Sequence, residues 1–178
     1  MEKRTWSSRG GGNILLTASL TIISAGPLET QKIGRVIGQL AEPGDVVLLS
    51  GALGAGKTCL TQGLAMGLGV DETTTSPTFV LMRQFRGRLP LYHVDLYRLE
   101  FGEIAELGLD DYLNGEGVCA VEWAEKGLNL RPLEHLRIEF EYLEKDHRRV
   151  TLTPSGERYR CLLKEFAGLW RTAGDEKL

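Results

Sequence analysis

The chain has 178 residues, 42% hydrophobic and 25% charged, enough for one ordinary domain with a real core and unlike a disordered or membrane-embedded protein. A formal net charge of −3 argues against a protein that grips nucleic acid through its own basic face, so any RNA contact is expected only within a complex. Cys59, Cys119 and Cys161 are widely spaced with no C-x-x-C pair, which argues against a zinc site or disulfide framework and fits a reducing compartment.

The chain opens with Lys3, Arg4 and Arg9, a Gly10-Gly11-Gly12 hinge and the apolar run from Ile14. That outline resembles a signal peptide, but Ser and Thr interrupt the run, and a nucleotide-site pattern further on argues for the cytoplasm. A flexible extension over residues 1–18 is the expectation, with one domain over 19–170 and a tail over 171–178. Leu20 and Ile22 alternate with Ser19, Thr21 and Ile23 as a first strand. Gly26-Pro27-Leu28-Glu29 then starts a helix, with Pro27 at its first position and Ile33, Val36, Ile37 and Leu40 on its apolar face.

Pro43-Gly44-Asp45 turns the chain into Val46–Ser50, an apolar run suited to a strand buried on both faces. Gly51-Ala52-Leu53-Gly54-Ala55-Gly56-Lys57-Thr58 follows and matches G-x-x-x-x-G-K-[ST] at every fixed position. Glycines let consecutive N–H groups converge on an anion, and the next helix aims its positive end at the same place. Gly51, Leu53, Gly54, Ala55, Gly56, Lys57, Thr58 and Cys59 are therefore the expected ATP contacts. Lys57 would reach the β- and γ-phosphates, and the Thr58 hydroxyl would ligate Mg²⁺. Leu60, Leu64, Ala65 and Leu68 give the helix its face, with Gly67 and Gly69 as stops.

Polar residues 71–75 lead through Ser76-Pro77-Thr78 into Phe79–Met82, and Arg86-Gly87-Arg88 turns the chain into the extended run Leu89–Leu96, so a hairpin is expected. An acid-rich helical region begins near Glu103 and ends at Tyr112 and Leu113, before a buried strand over residues 117–122. Leu136, Ile138, Phe140 and Tyr142 alternate with charged residues, Val150 and Leu152 pair with them, and Leu162, Leu163, Phe166, Ala167 and Trp170 make a closing amphipathic helix. The clusters Arg83, Arg86, Arg88 and Arg148, Arg149 read as solvated surface. The fold class is α/β: a single phosphate-loop NTPase domain, its sheet mostly parallel with antiparallel hairpin strands, and helices on both faces.

In such sheets ligands bind beyond the carboxyl ends of the strands, where Asp95 and Glu122 both stand. One would hold the metal while the other orients the attacking water or the metal's hydration shell; alternatively, each caps the segment after it. His93 would share a strand face with Asp95, as a functional residue or as an ordinary packed or surface one, and Ser76 and Thr78 would either touch the γ-phosphate or its Mg²⁺ from a loop restricted by Pro77 or form an ordinary turn before a strand. Trp123 is either core or a partner contact.

The phosphate loop, Ser76-Pro77-Thr78, the segment His93-Val94-Asp95-Leu96-Tyr97-Arg98 and Val121-Glu122-Trp123 fall in an order and spacing that resembles the TsaE (YjeE) family, over about Thr21 to Leu169. That resemblance implies a small ATPase, slow alone, that works with the TsaD–TsaB complex in placing threonylcarbamoyl on the adenosine at position 37 of tRNAs reading ANN codons. It implies Mg²⁺ associated with Thr58 and Glu122, a requirement for Asp95 in hydrolysis, a functional Trp123 and a switch-like loop at Thr78. His93, Tyr97 and Arg98 would serve as switch or partner residues, and tRNA would be met only through the complex. Family members commonly carry an acid where this chain has Ala52, so any contact made by that acid is lost. The chief rival is a small-molecule kinase, which would need an arginine-bearing lid, and no long insertion could supply one. A GTP switch is excluded by the lack of Asp-x-x-Gly and Asn-Lys-x-Asp strings. A module that binds ATP without hydrolysing it would tolerate Asp95→Ala and Glu122→Ala.

Overall fold

A computed structural model describes residues 19–71, 81–99, 103–104, 108–127 and 132–175. The expected extension over 1–18, the Ser76–Thr78 loop and most of the acidic segment after residue 99 lie outside the described residues. Among the described residues, seven strands form one sheet: β1 (Leu20–Ser24), β2 (Val46–Ser50), β3 (Met82–Phe85), β4 (Leu91–Asp95), β5 (Val118–Glu122), β6 (His135–Tyr142) and β7 (Arg148–Ser155). Their spatial order is β1-β7-β6-β2-β5-β4-β3. The four central strands β6, β2, β5 and β4 are parallel, and the antiparallel pairings flank them, with β3 on β4 and β7 between β6 and β1. The helices are α1 (Pro27–Leu40), α2 (Lys57–Gly67), the short α3 (Asp110–Leu113) and α4 (Glu157–Asp175). Helix α4 runs past residue 170, where a tail was expected to begin.

Side-chain alternation along each strand splits the core into two layers. Val47, Leu49, Leu91, Val118, Ala120, Leu136 and Ile138 pack with the apolar faces of α1, α2 and α4. Val46, Leu48, Val94, Cys119 and Val121 face the other way, onto Leu96, Ile104, Leu109 and Leu113 around α3. The expected hairpin is β3–β4, with Arg83 opposite His93, but its first strand begins at Met82, where the expected run was to end, because Leu81 turns left-handed at φ 66°; residues 79 and 80 lie outside the described residues.

Helices α1 and α2 touch backbone to backbone. A Cβ on Gly34 would lie 2.0 Å from the Leu60 carbonyl oxygen, and one on Gly63 equally close to that of Gln31. Gly38 and Gly67 repeat the contact one turn on. Gly67 is thus the last residue of α2 and a packing surface, whereas Gly69, at φ 72°, makes the left-handed turn that follows the helix. The end of α1 is held by two arginines. The Arg88 guanidinium donates to the carbonyls of Gly38 at 2.7 Å and Ala41 at 2.6 Å, and Arg158 donates to that of Leu40 at 2.9 Å. Arg88 therefore caps a helix, where the sequence suggested only solvated surface. Arg158 also forks the Asp45 carboxylate at 3.1 and 2.7 Å, tying α4 to the turn that feeds β2.

Candidate functional site

Strand β2 ends against Phe140 of β6, so closely that a Cβ on Gly51 would meet the Phe140 carbonyl oxygen at 2.8 Å. At Gly56 the chain is left-handed, φ 116°, immediately before α2. Among the described residues no side chain caps α2, and the helix's own ladder reaches only as far as the Leu60 N–H bonded to the Gly56 carbonyl. The amides of Lys57, Thr58 and Cys59 at this 11-residue helix's start therefore have no partner within the helix. Together with the helix dipole they suit an anion.

Lys57 is buried and turned back over the loop, its ammonium donating to the Gly51 carbonyl at 2.6 Å and the Ala52 carbonyl at 2.9 Å. The exposed Ala52 thus serves through its main chain, a contact that a change of side chain there leaves in place. The Lys57 ammonium also sits 3.7 Å from the centroid of the Trp123 ring. Burial lowers its pKa from the ordinary lysine value, and the charges of Glu122, Glu125 and Asp95 pull it partly back up.

The two acids meet because β4 and β5 are neighbours, in a register that sets Asp95 beside Glu122. Both are buried and lie on the α2 side of the sheet, like Leu91, four residues before Asp95, and Ala120, two before Glu122. Their surroundings differ. Glu122 Oε2 accepts from the Thr58 hydroxyl at 2.9 Å, and Glu122 Oε1 lies 2.7 Å from His93 Nε2. Asp95 Oδ1 accepts from the Tyr97 N–H at 2.9 Å, so the capping alternative is in part what Asp95 does. His93 itself has no exposed surface and stands behind Glu122 rather than in the cleft.

The cleft has a volume of about 400 Å³, and the loop residues Leu53–Cys59, Asp95, Tyr97, Glu122 and Trp123 line it. The chain turns left-handed at Trp123, φ 59°, directly after Glu122, and the indole packs against Tyr97 with centroids 4.8 Å apart and the ring planes tilted by 39°. Lys126, from the 3-10 turn Ala124–Lys126, donates to the Tyr97 carbonyl and, at 3.3 Å, to that of Leu99. This clamp across the β4 and β5 ends is not foreshadowed by the sequence, because it depends on which strands are adjacent. Of the remaining candidates, Arg98 is exposed in the turn after β4, and Ser76 and Thr78 fall outside the described residues. Cys59 turns its thiol to the Pro27 carbonyl at 3.2 Å, and burial raises its pKa.

The donors suit a small hard cation. A hydroxyl and two carboxylates supply oxygens, and one carboxylate already bonds the hydroxyl. Among the described residues no cluster of three or more His, Cys, Asp or Glu could cage a metal. A small hard cation such as Mg²⁺ commonly takes one or two protein oxygens and completes its shell with phosphate and water.

Comparison with known proteins shows the family. The family described as threonylcarbamoyl adenosine biosynthesis protein TsaE matches residues 24–150. The tRNA threonylcarbamoyladenosine biosynthesis protein TsaE of Bacillus subtilis is 45% identical over 142 residues, covering 79% of this chain and 89% of that protein. Its counterpart in Treponema pallidum is 42% identical over 131 residues, covering 73% of this chain and 97% of that protein. The crystal structure of YdiB from Bacillus subtilis superposes with a TM-score of 0.75 at 40% identity, covering 84% of this chain and 95% of that one.

Proposed function

The chain belongs to the TsaE family of tRNA threonylcarbamoyladenosine biosynthesis, and from that premise we propose that it binds and hydrolyses ATP with Mg²⁺ as the nucleotide-dependent partner of a TsaD–TsaB-type complex. The observation that carries this reading is the bond from Thr58 at the loop's end to Glu122, with Asp95 in register beside it. A helix start, a lysine, a hydroxyl and two acids then surround one small volume.

In this reading the amides of residues 54–58 and the Lys57 ammonium bind the phosphate oxygens, and Lys57 exchanges its two carbonyl partners for them. Thr58 and Glu122 would hold Mg²⁺, which would supply charge neutralisation for the phosphates. Asp95, with Oδ1 fixed by the Tyr97 amide, orients the attacking water. Trp123 and Tyr97 form an aromatic wall that excludes bulk water from the Lys57 side. Hydrolysis alone is slow, and the partner complex senses the nucleotide through the Ser76–Thr78 loop and the Tyr97–Trp123 wall. The protein meets tRNA only through that complex, in the cytoplasm.

The test is steady-state ATP turnover by the purified protein with and without the partner complex, alongside nucleoside analysis of tRNA from depleted cells. The reading expects slow turnover, a marked rise on adding the partner, and loss of threonylcarbamoyladenosine on depletion. Phosphorylation of a small-molecule acceptor at ordinary kinase rates, or an unchanged nucleoside content, would contradict it.

A further inference from the structure

We propose that His93 is a positioning residue for Glu122: its Nε2–H fixes Oε1, so that Oε2, beside the Thr58 hydroxyl, is the oxygen presented to a divalent cation. This rests on the reading of the site as an ATP–Mg²⁺ site and deepens it.

Glutamate is a flexible ligand, and here its two oxygens are held from different elements. Strand β4 supplies the 2.7 Å contact from His93 to Oε1, and helix α2 supplies the 2.9 Å bond from Thr58 to Oε2. With both in place, the carboxylate has one orientation and cannot rotate away from the loop. His93 has no exposed surface and does not line the cleft, so it acts only through Glu122.

The other ring nitrogen strengthens the inference. Among the described residues, the buried His93 Nδ1 has no hydrogen-bond partner. An ionised carboxylate only accepts, and an N–H on Nδ1 would find no acceptor among those residues, so the ring proton belongs on Nε2, facing Glu122. An aromatic side chain present only to fill space would do so without burying an unpaired nitrogen. What histidine adds over phenylalanine at this place is the single Nε2–H, and it goes to Glu122.

The test compares the full-length parent, His93→Phe and His93→Gln by titrating a fluorescent ATP analogue with Mg²⁺ and with chelator instead. Glutamine carries an amide N–H as many bonds from the backbone as Nε2, whereas phenylalanine keeps the ring and loses the donor. The parent and His93→Gln should bind the analogue more tightly with Mg²⁺. His93→Phe should bind within twofold of the parent under chelator and lose roughly tenfold or more of the Mg²⁺-dependent gain. A full Mg²⁺-dependent gain in His93→Phe overturns the inference while leaving the site's reading intact. A parent with no Mg²⁺ effect overturns the reading, and the inference with it. Should His93→Phe fail to fold, two-bond 15N–1H correlation on the parent decides. A proton on Nε2 with bare Nδ1 supports the assignment, and the opposite tautomer overturns it.

Discussion

Asp95 and Glu122 are both buried acids at the ends of neighbouring strands, yet their bonding separates their roles. Glu122 is held by two side chains, Thr58 and His93, while Asp95 Oδ1 accepts from the backbone N–H of Tyr97. Asparagine keeps an acceptor for that amide, so Asp95→Asn should fold and bind nucleotide like the parent while turnover falls by roughly 100-fold, read by single-turnover hydrolysis beside equilibrium binding. Glu122→Gln should also lower turnover by about 100-fold, but with a weakened response of nucleotide affinity to Mg²⁺. Equal turnover in parent and Asp95→Asn would remove Asp95 from the chemistry. The residues themselves were legible, since a phosphate-loop pattern and acids ending apolar runs are local signals. Their division of labour was not, because the His93–Glu122 contact links positions on strands whose adjacency no local pattern states.

The elements place the site through one unusually close contact, in which glycines on α1 and α2 bring the two backbones together and so fix where α2 begins. A methyl group at Gly34 has backbone atoms of Leu60 and Leu64 in its way, which cannot move aside as a flexible side chain would. Gly34→Ala should therefore cost about 3 kcal/mol, lowering Tm by roughly 6–12 °C in calorimetry. Gly26→Ala, where a Cβ meets nothing within 4 Å, is the control and should shift Tm far less. The periodicity of Ile33, Val36, Ile37 and Leu40 announced α1, and that of Leu60 and Leu64 announced α2. The glycine seam stayed hidden, since a glycine near a helix end reads locally as a stop, and only the facing helix makes Gly67 a contact.

At the scale of the whole molecule, the buried Cys119 thiol and Tyr159 phenol link stability to alkaline pH. Burial pushes Cys119 up to about 12 from 9.0 and Tyr159 above its usual value. Above pH 9 the unfolded chain sheds protons that the folded chain keeps, so stability falls as pH rises towards the folded value. The lowered Lys57 opposes this, because its charged form destabilises the fold and that penalty fades as pH approaches 10.5. Urea unfolding should show Cys119 alone removing about 2 kcal/mol between pH 9 and about pH 10.5, and Cys119→Ala should flatten that slope. An equal slope in the variant would place the alkaline sensitivity elsewhere. Beneath these effects lies the central claim, that the loop and its lysine form a triphosphate site, and calorimetric titration of ATP–Mg²⁺ into the parent and Lys57→Ala tests it most directly. The parent should bind saturably and the variant should lose at least roughly tenfold in affinity; equal affinity in the two would contradict a triphosphate site there.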